Sequence, residues 1–477
     1  MHILVYAYYI LQKNAFNSKP SPLAPAFTPA KLLLFFVRLL PHRALLQLPA
    51  LQTKDFYHRL FTPLVTLWYL IFQRLNPDHT LDAALSDARA GGAKHLSQKL
   101  SRQLRSDSTA SYSDARQRLP WQFLAQALSL QARQIIQLSP TAARWHGLVL
   151  TLLDGSTVRL RPHGTLAKDF PGNGNQHRRP YWCLMRVVAC FCARSGAAID
   201  CAIGSLHQSE QALACQLIRA CSLQSLLIGD RNFGVFRLAQ AARHAGQKVL
   251  LRMTKVRARK LLGRPLLAGD HAVCWQPTRH DQLEPGCSPQ PQEGRLIVVK
   301  FQRKGFRSQW LYLFTTLPNT ADFSLPELVQ LYGLRWHIEL NLRYLKAQMD
   351  LVQLEAKSAE MARKEWLAGL LAYNLIRAAQ LCAALQKGVS PLTLSFSSVR
   401  RRLEHWFQLY ASTTQHQARL KQWARILQQM AQCTLPHRRK PRPNEPRAQR
   451  HLRLPYLPLY GSRATARRHL KKYVSKS

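Results

Sequence analysis

The chain has 477 residues, with 68 Lys and Arg against 24 Asp and Glu, giving a formal net charge of +44. Hydrophobic residues make up 47%, enough for real cores, which excludes a disordered basic tail protein. A surplus of that size needs a polyanion, nucleic acid first and an anionic membrane surface second. The apolar runs at 32–37 and 64–72 end at Arg38 and Gln73, well short of the roughly 20 residues a spanning helix needs, so no membrane partner is expected.

The opening MHILVYAYYILQKN lacks a basic leading region and a small-residue cleavage site, so it does not read as a signal peptide. Residues 1–25 are expected to stay outside the folded part. Residues 26–143 read as a helical DNA-binding domain. FYHRLFTPLVTLWYLIFQRL and PWQFLAQALSLQARQII carry apolar residues at helical spacing, and residues 85–118 between them are polar and basic. None of the ten cysteines forms a CxxC pair, which predicts reduced, mostly buried thiols in a cytoplasmic protein.

At residue 146 the period changes. HGLVLTLLDGSTVRL reads as a strand, a tight DGS turn and a second strand. YWCLMRVVACFCA is a third strand, SEQALACQLIRACS a helix and QSLLIGD a buried strand. That order fits a mixed sheet with a crossover helix. Residues 234–248 read as a helix, KVLLRMT as a strand, residues 254–318 as a β insertion and residues 325–386 as helical again. The α/β region spans 144–400. Residues 401–477 begin helical and end as a basic tail, since the last 43 positions hold 13 Lys and Arg, one acid and six prolines.

With so few acids, each can be weighed. Asp154 follows LVLTLL and Asp230 follows SLLIG; a carboxylate at the C-terminal end of a buried strand sits where α/β proteins place their sites. The bland alternative is a turn-forming aspartate before glycine or arginine. Asp200, after AAID, is the reserve. The third acid is Glu339, within YGLRWHIELNLRYLK. On one continuous helix, Tyr332, Arg335, Glu339 and Lys346 would share a stripe of about 60°, with Arg343 beside it. An exposed salt-bridge ladder is the alternative, but a net-basic stripe around one acid suits a phosphate backbone with a metal ion.

These residues resemble a known family. The spacing of Tyr332, Arg335, Glu339 and Lys346 is similar to the YREK signature of IS4-type DDE transposases. Asp154-Gly155-Ser156-Thr157 looks like that family's first aspartate motif, and Asp230-Arg231-Asn232-Phe233-Gly234 like its second. The resemblance covers roughly residues 145–390. It implies an RNase H-like α/β fold with a β insertion after a helical DNA-binding domain. Asp154, Asp230 and Glu339 are then catalytic and hold two Mg²⁺ or Mn²⁺ ions, while Tyr332, Arg335, Arg343 and Lys346 bind DNA. It implies binding to terminal inverted repeats, metal-dependent cleavage and strand transfer into target DNA by cut-and-paste, and a homodimer in the synaptic complex. It also implies a flipped base stacked on an aromatic of the insertion, for which Trp275 and Trp310 are available although strand packing explains both. The rival readings are a DNA-binding derivative without catalysis and an RNase H-like nuclease that does not transpose.

Overall fold

The computed structural model describes residues 39–435, except 53–59, 77, 94–95, 98, 140–143, 164, 174–181, 222, 284–285, 304–305, 320 and 413–414, together with residue 468. Residues 1–25 and nearly all of the basic tail therefore lie outside the described residues. The described residues from 39 to 435 belong to one compact unit.

The longer helices before the sheet are α1 (Pro63–Leu75), α2 (Leu81–Ala90), α3 (Ala110–Arg118) and α4 (Trp121–Leu138). α1 starts where Thr62 accepts a hydrogen bond from the Val65 N–H and Pro63 occupies the first turn, both ordinary start signals. The region is helical, as its periodicity predicts.

The sheet contains β1 (Arg144–Trp145), β2 (Leu148–Leu160), β3 (Cys183–Cys192), β4 (Ala198–Ser205), β5 (Ser225–Gly229), β6 (Lys248–Arg252), β7 (Gly269–Trp275), β8 (Gln292–Arg303), β9 (Phe306–Thr315) and β10 (Gln353–Leu354). Its order is β4-β3-β2-β5-β6-β9-β8-β7, with β1 and β10 on β2. β2, β3 and β4 form an antiparallel meander, and β2, β5 and β6 run parallel. Three antiparallel strands followed by two parallel ones on the far side of the first is the RNase H-like arrangement. Helix α5 (Glu210–Ala220) connects β4 to β5, and α6 (Phe236–His244) connects β5 to β6.

One expectation changes. The DGS segment is not a turn. β2 runs unbroken through it, with Asp154, Gly155 and Ser156 paired to Ala189, Val188 and Val187 of β3. The neighbouring strand supplies ladder partners that a sequence window does not see, and these override the local turn preference. The segment read as two strands is one, and the missing strand is β4, around Asp200. The β insertion joins the main sheet. After α7 (Lys255–Leu262), β9 pairs with β6, so β7, β8 and β9 lengthen the main sheet.

The longer helices after the insertion are α8 (Leu325–Gly333), α9 (Trp336–Arg343), α10 (Ala359–Lys387), α11 (Phe396–Ser412) and α12 (His416–Ala431). α10 is capped by Ser358 and ends at Gly388, whose φ of 68° suits glycine. By length and composition α10 is apolar enough to cross a membrane, but it is buried inside the protein. It forms the centre of the larger core, against α4 and one sheet face, while α5 and α6 cover the opposite face.

Candidate active site

The parallel register brings the two aspartates together. β2 and β5 pair up to Leu153 with Gly229, and β5 and β6 up to Gly229 with Leu251. Asp154, Asp230 and Arg252 are the next residues of that register. Neighbouring strands are about 4.8 Å apart, so the three form one row at the carboxyl end of the parallel strands. Asp154 lies within β2, Asp230 just past β5 and Arg252 at the end of β6, and their side chains share the face on which α9 packs, because alternate residues take alternate faces. Leu152, Ile228 and Leu250, one step of that alternation earlier, lie in the larger core with Ile338 of α9.

Asp154 is half-buried, and its carboxyl is pushed up to about 6, first by burial and then by the charges of Asp230 and Glu210. The Gly155 N–H donating to Oδ1 and the nearby Arg335 work against that shift. Asp230 Oδ1 accepts from the Asn232 N–H at 2.8 Å, which shapes the loop after β5.

Glu339 lies in the first turn of α9, and Arg335 Nη2 donates to its Oε1 at 2.7 Å. The same guanidinium interacts with Asp154 and Tyr332. Burial works against the Arg335 charge, but Tyr332, Glu339 and Asp154 more than offset it, so its pKa is raised. Arg335 thus bridges the sheet edge and the helix. Lys346 is also in the field of Asp154, while burial and Arg159 lower its pKa.

The single stripe does not exist, because the segment is not one helix. α8 ends at Gly333 and α9 begins at Trp336, joined by tight turns in which the Leu334 and Arg335 N–H groups donate three residues back. From Tyr344 to Gln348 the chain is π-helical, with the Met349 N–H donating to the Tyr344 carbonyl. Tyr332 is consequently buried at 0% exposure rather than presented to solvent. Burial pushes its phenol up to about 12, opposed by Arg335 and Arg252. Arg343 is exposed and lies 5.9 Å over the Tyr344 ring.

Among the described residues, no three His, Cys, Asp or Glu side chains converge tightly enough to hold a metal ion as they stand. The donors themselves suit a hard divalent cation. Asp154 and Asp230 are adjacent by register, and the Asp230 charge adds to burial in raising the Asp154 pKa. Glu339 would join them by exchanging Arg335 for the ion.

Asp200 is not in this row. It lies on β4, accepting from Ser129 Oγ of α4 at 3.3 Å. Trp275 packs edge-on against Phe236 and Phe314, whereas Trp310 is 37% exposed with Lys300 over its ring. His337 is buried, its pKa lowered to about 4 by burial and by Arg377. Sequence reasoning missed Arg252 and Glu210. Arg252 carried the same signal as the aspartates, a polar residue closing an apolar strand. Glu210 follows the capping Ser209 and looks like any helix-starting acid.

Residues 145–375 match the family model described as a transposase DDE domain. Over 301 residues the chain is 29% identical to transposase InsG for insertion sequence element IS4 from Escherichia coli (strain K12), a match covering 58% of this chain and 66% of that relative. The chain thus spans just under two thirds of that relative's length. Among solved structures, it is similar to the piggyBac transposase synaptic complex with hairpin DNA, at a TM-score of 0.38 and 11% identity over 84% of this chain and 85% of that one.

Proposed function

Residues 145–375 form a transposase DDE domain of the IS4 type, and from that premise we propose that the protein binds the terminal inverted repeats of an insertion sequence and catalyses cut-and-paste cleavage and strand transfer. The observation that carries this reading is the register that sets Asp154 beside Asp230, with the Arg335–Glu339 pair on the helix above. Asp154, Asp230 and Glu339 would hold two Mg²⁺ or Mn²⁺ ions, which when bound activate the attacking oxygen and stabilise the leaving one. Arg335 keeps Glu339 oriented and neutral in sum, then turns to a phosphate oxygen. Lys346 and exposed Arg343 take further phosphates, and Tyr332 supports Arg335 from beneath rather than touching DNA. Synapsis of two ends makes the working form a homodimer on DNA in the bacterial cytoplasm.

Asp154→Ala, Asp230→Ala and Glu339→Ala are each expected to keep binding of an end-bearing duplex in a gel-shift assay and to lose Mn²⁺-dependent cleavage. Full cleavage by any of the three would overturn the assignment. The ion pair that occupies Glu339 favours one second reading, a DNA-binding derivative without catalysis. In that case the unaltered chain would bind ends and never nick them. Joined products from precleaved ends would separate a transposase from a plain nuclease.

A further inference from the structure

The loop that carries Asp230 is gripped from the face of the sheet opposite α9. Glu210 and Gln211 open α5, after the Ser209 hydroxyl has capped it by accepting from the Ala212 N–H. Glu210 Oε2 accepts from Asn232 Nδ2 at 2.7 Å. Gln211 Nε2 donates to the Asn232 carbonyl at 2.8 Å and is itself held by Arg237, whose Nη2 donates to its Oε1 at 2.6 Å. Asn232 is therefore fixed at its side chain and its carbonyl, and its N–H is the donor that holds Asp230 Oδ1.

Gly155 belongs to the same arrangement. Its neighbour Asp154 faces α9, so position 155 faces α5. A Cβ there would lie 2.5 Å from the Glu210 carboxyl carbon and 2.6 Å from its Oε1, closer than real side chains approach. The backbone at Gly155 is ordinary strand, absent from the positive-φ residues. The atoms a Cβ would meet are the movable end of the Glu210 side chain, so alanine here would displace that carboxylate and leave the strand in place.

We propose that Glu210 is a positioning residue for Asp230, acting through Asn232, and that Gly155 leaves room for its carboxylate. The proposal rests on the reading that Asp230 is catalytic. Its physical content is simple: the loop after a strand has few intrinsic constraints, and an aspartate serves only when held within a fraction of an ångström. The hydrogen bond to an ionised carboxylate is of the strong kind. Glu210 lies behind the sheet edge, on the side away from Glu339, so it orients an acid rather than joining the ligand set.

The test uses the full chain, with single-turnover cleavage of an end-bearing duplex in Mn²⁺, end binding and thermal unfolding read together. Supporting-residue losses run to roughly 10–100-fold, and Glu210→Ala is expected to slow cleavage by about that factor at saturating protein, with end binding unchanged. Glu210→Gln retains an oxygen that accepts from Asn232 and should recover most of the rate. Asn232→Ala should match Glu210→Ala, with no further loss in the double variant, because both remove one interaction. Gly155→Ala should reproduce the loss by displacing the carboxylate. Wild-type cleavage by Glu210→Ala overturns the proposal. So does equal slowing by the Gln and Ala variants with a higher Mn²⁺ requirement, which would make Glu210 a ligand. Should Glu210→Ala fold poorly, Asn232→Ala and Glu210→Gln carry the test. Asp230→Ala is the control: if it cleaves, the catalytic reading fails, whereas an inactive Asp230→Ala beside a fully active Glu210→Ala sinks this inference alone.

Discussion

Individual side chains in this protein take their chemistry from how the sheet and helices bury them. Asp154 and Asp200 both follow apolar strand residues, and burial pushes both carboxyls up to about 6. Only Asp154 has a second acid beside it, because only β2 has β5 as its parallel neighbour. Asp200 is held by Ser129 Oγ and the Cys201 N–H, with Arg133 also favouring its charge. Its folded pKa lies above its unfolded value, so the charged form costs stability. That cost grows as pH rises from near 4 to near 6 and stays constant above. A shift from 3.8 to about 6 corresponds to on the order of 3 kcal/mol. Asp200→Asn keeps an oxygen for Ser129 and is expected to raise the unfolding temperature at about pH 7.5 while changing little near about pH 4. A pH series of thermal melts checks this. Equal effects at both pH values would mean that packing, not charge, governs the site.

The elements around Glu339 show how a helix is held at a chosen angle. α9 has eight residues and continues into a π turn, a feature that often accompanies functional positions. Both are held to α10 by one buried cation. Arg377 donates from Nε to Tyr373 Oη at 2.7 Å, from Nη1 to Gln380 Oε1 at 2.8 Å and from Nη2 to Asn341 Oδ1 of α9 at 2.7 Å. Its guanidinium lies 5.2 Å from the centre of the Tyr344 ring, where the π turn begins, and 5.0 Å from that of Phe396. Arg377→Ala would remove the donor that serves Gln380 Oε1 and Asn341 Oδ1, both buried, and open a cavity, an expected loss of about 3–5 kcal/mol. Urea unfolding should show this as a lower midpoint at unchanged slope. A loss below about 1 kcal/mol would show that the partners repair themselves. The YGLRWHIELNLRYLK segment announced helix, but its break at residues 334–335 and its π turn depend on α10 and α11, more distant in the chain.

Over the whole molecule, one buried acid draws together cations that are distant in the chain. Glu365 of α10 is approached by Arg116 of α3 at 3.4 Å and Arg74 of α1 at 3.9 Å, and Lys364 donates to the Arg116 and Gln117 carbonyls. These contacts fasten the amino-terminal helices to the core helix. Under the proposed function, cations outside such contacts meet DNA phosphates. Duplex binding is expected to fall by roughly a thousandfold or more between about 50 and 200 mM salt, because each neutralised phosphate releases counterions. Filter binding across a salt series measures the slope. A nearly flat dependence would remove the electrostatic account of the net charge of +44.

The sequence by itself determined the helical amino-terminal region, the strand-rich middle, the sparse acids and the polar residues closing apolar strands, because periodicity and composition act over short windows. The candidate acids Asp154, Asp230 and Glu339 were singled out on those terms, and the resemblance to a transposase family rests on the motifs around them. Only the tertiary structure decided that the DGS segment is continuous strand, that the insertion extends the main sheet, that Tyr332 is buried and that Arg252 and Glu210 stand beside the aspartates. Each of those depends on a ladder partner or packing neighbour tens to hundreds of residues away. No local pattern carries that information, since pairing register is set by burial of the whole sheet.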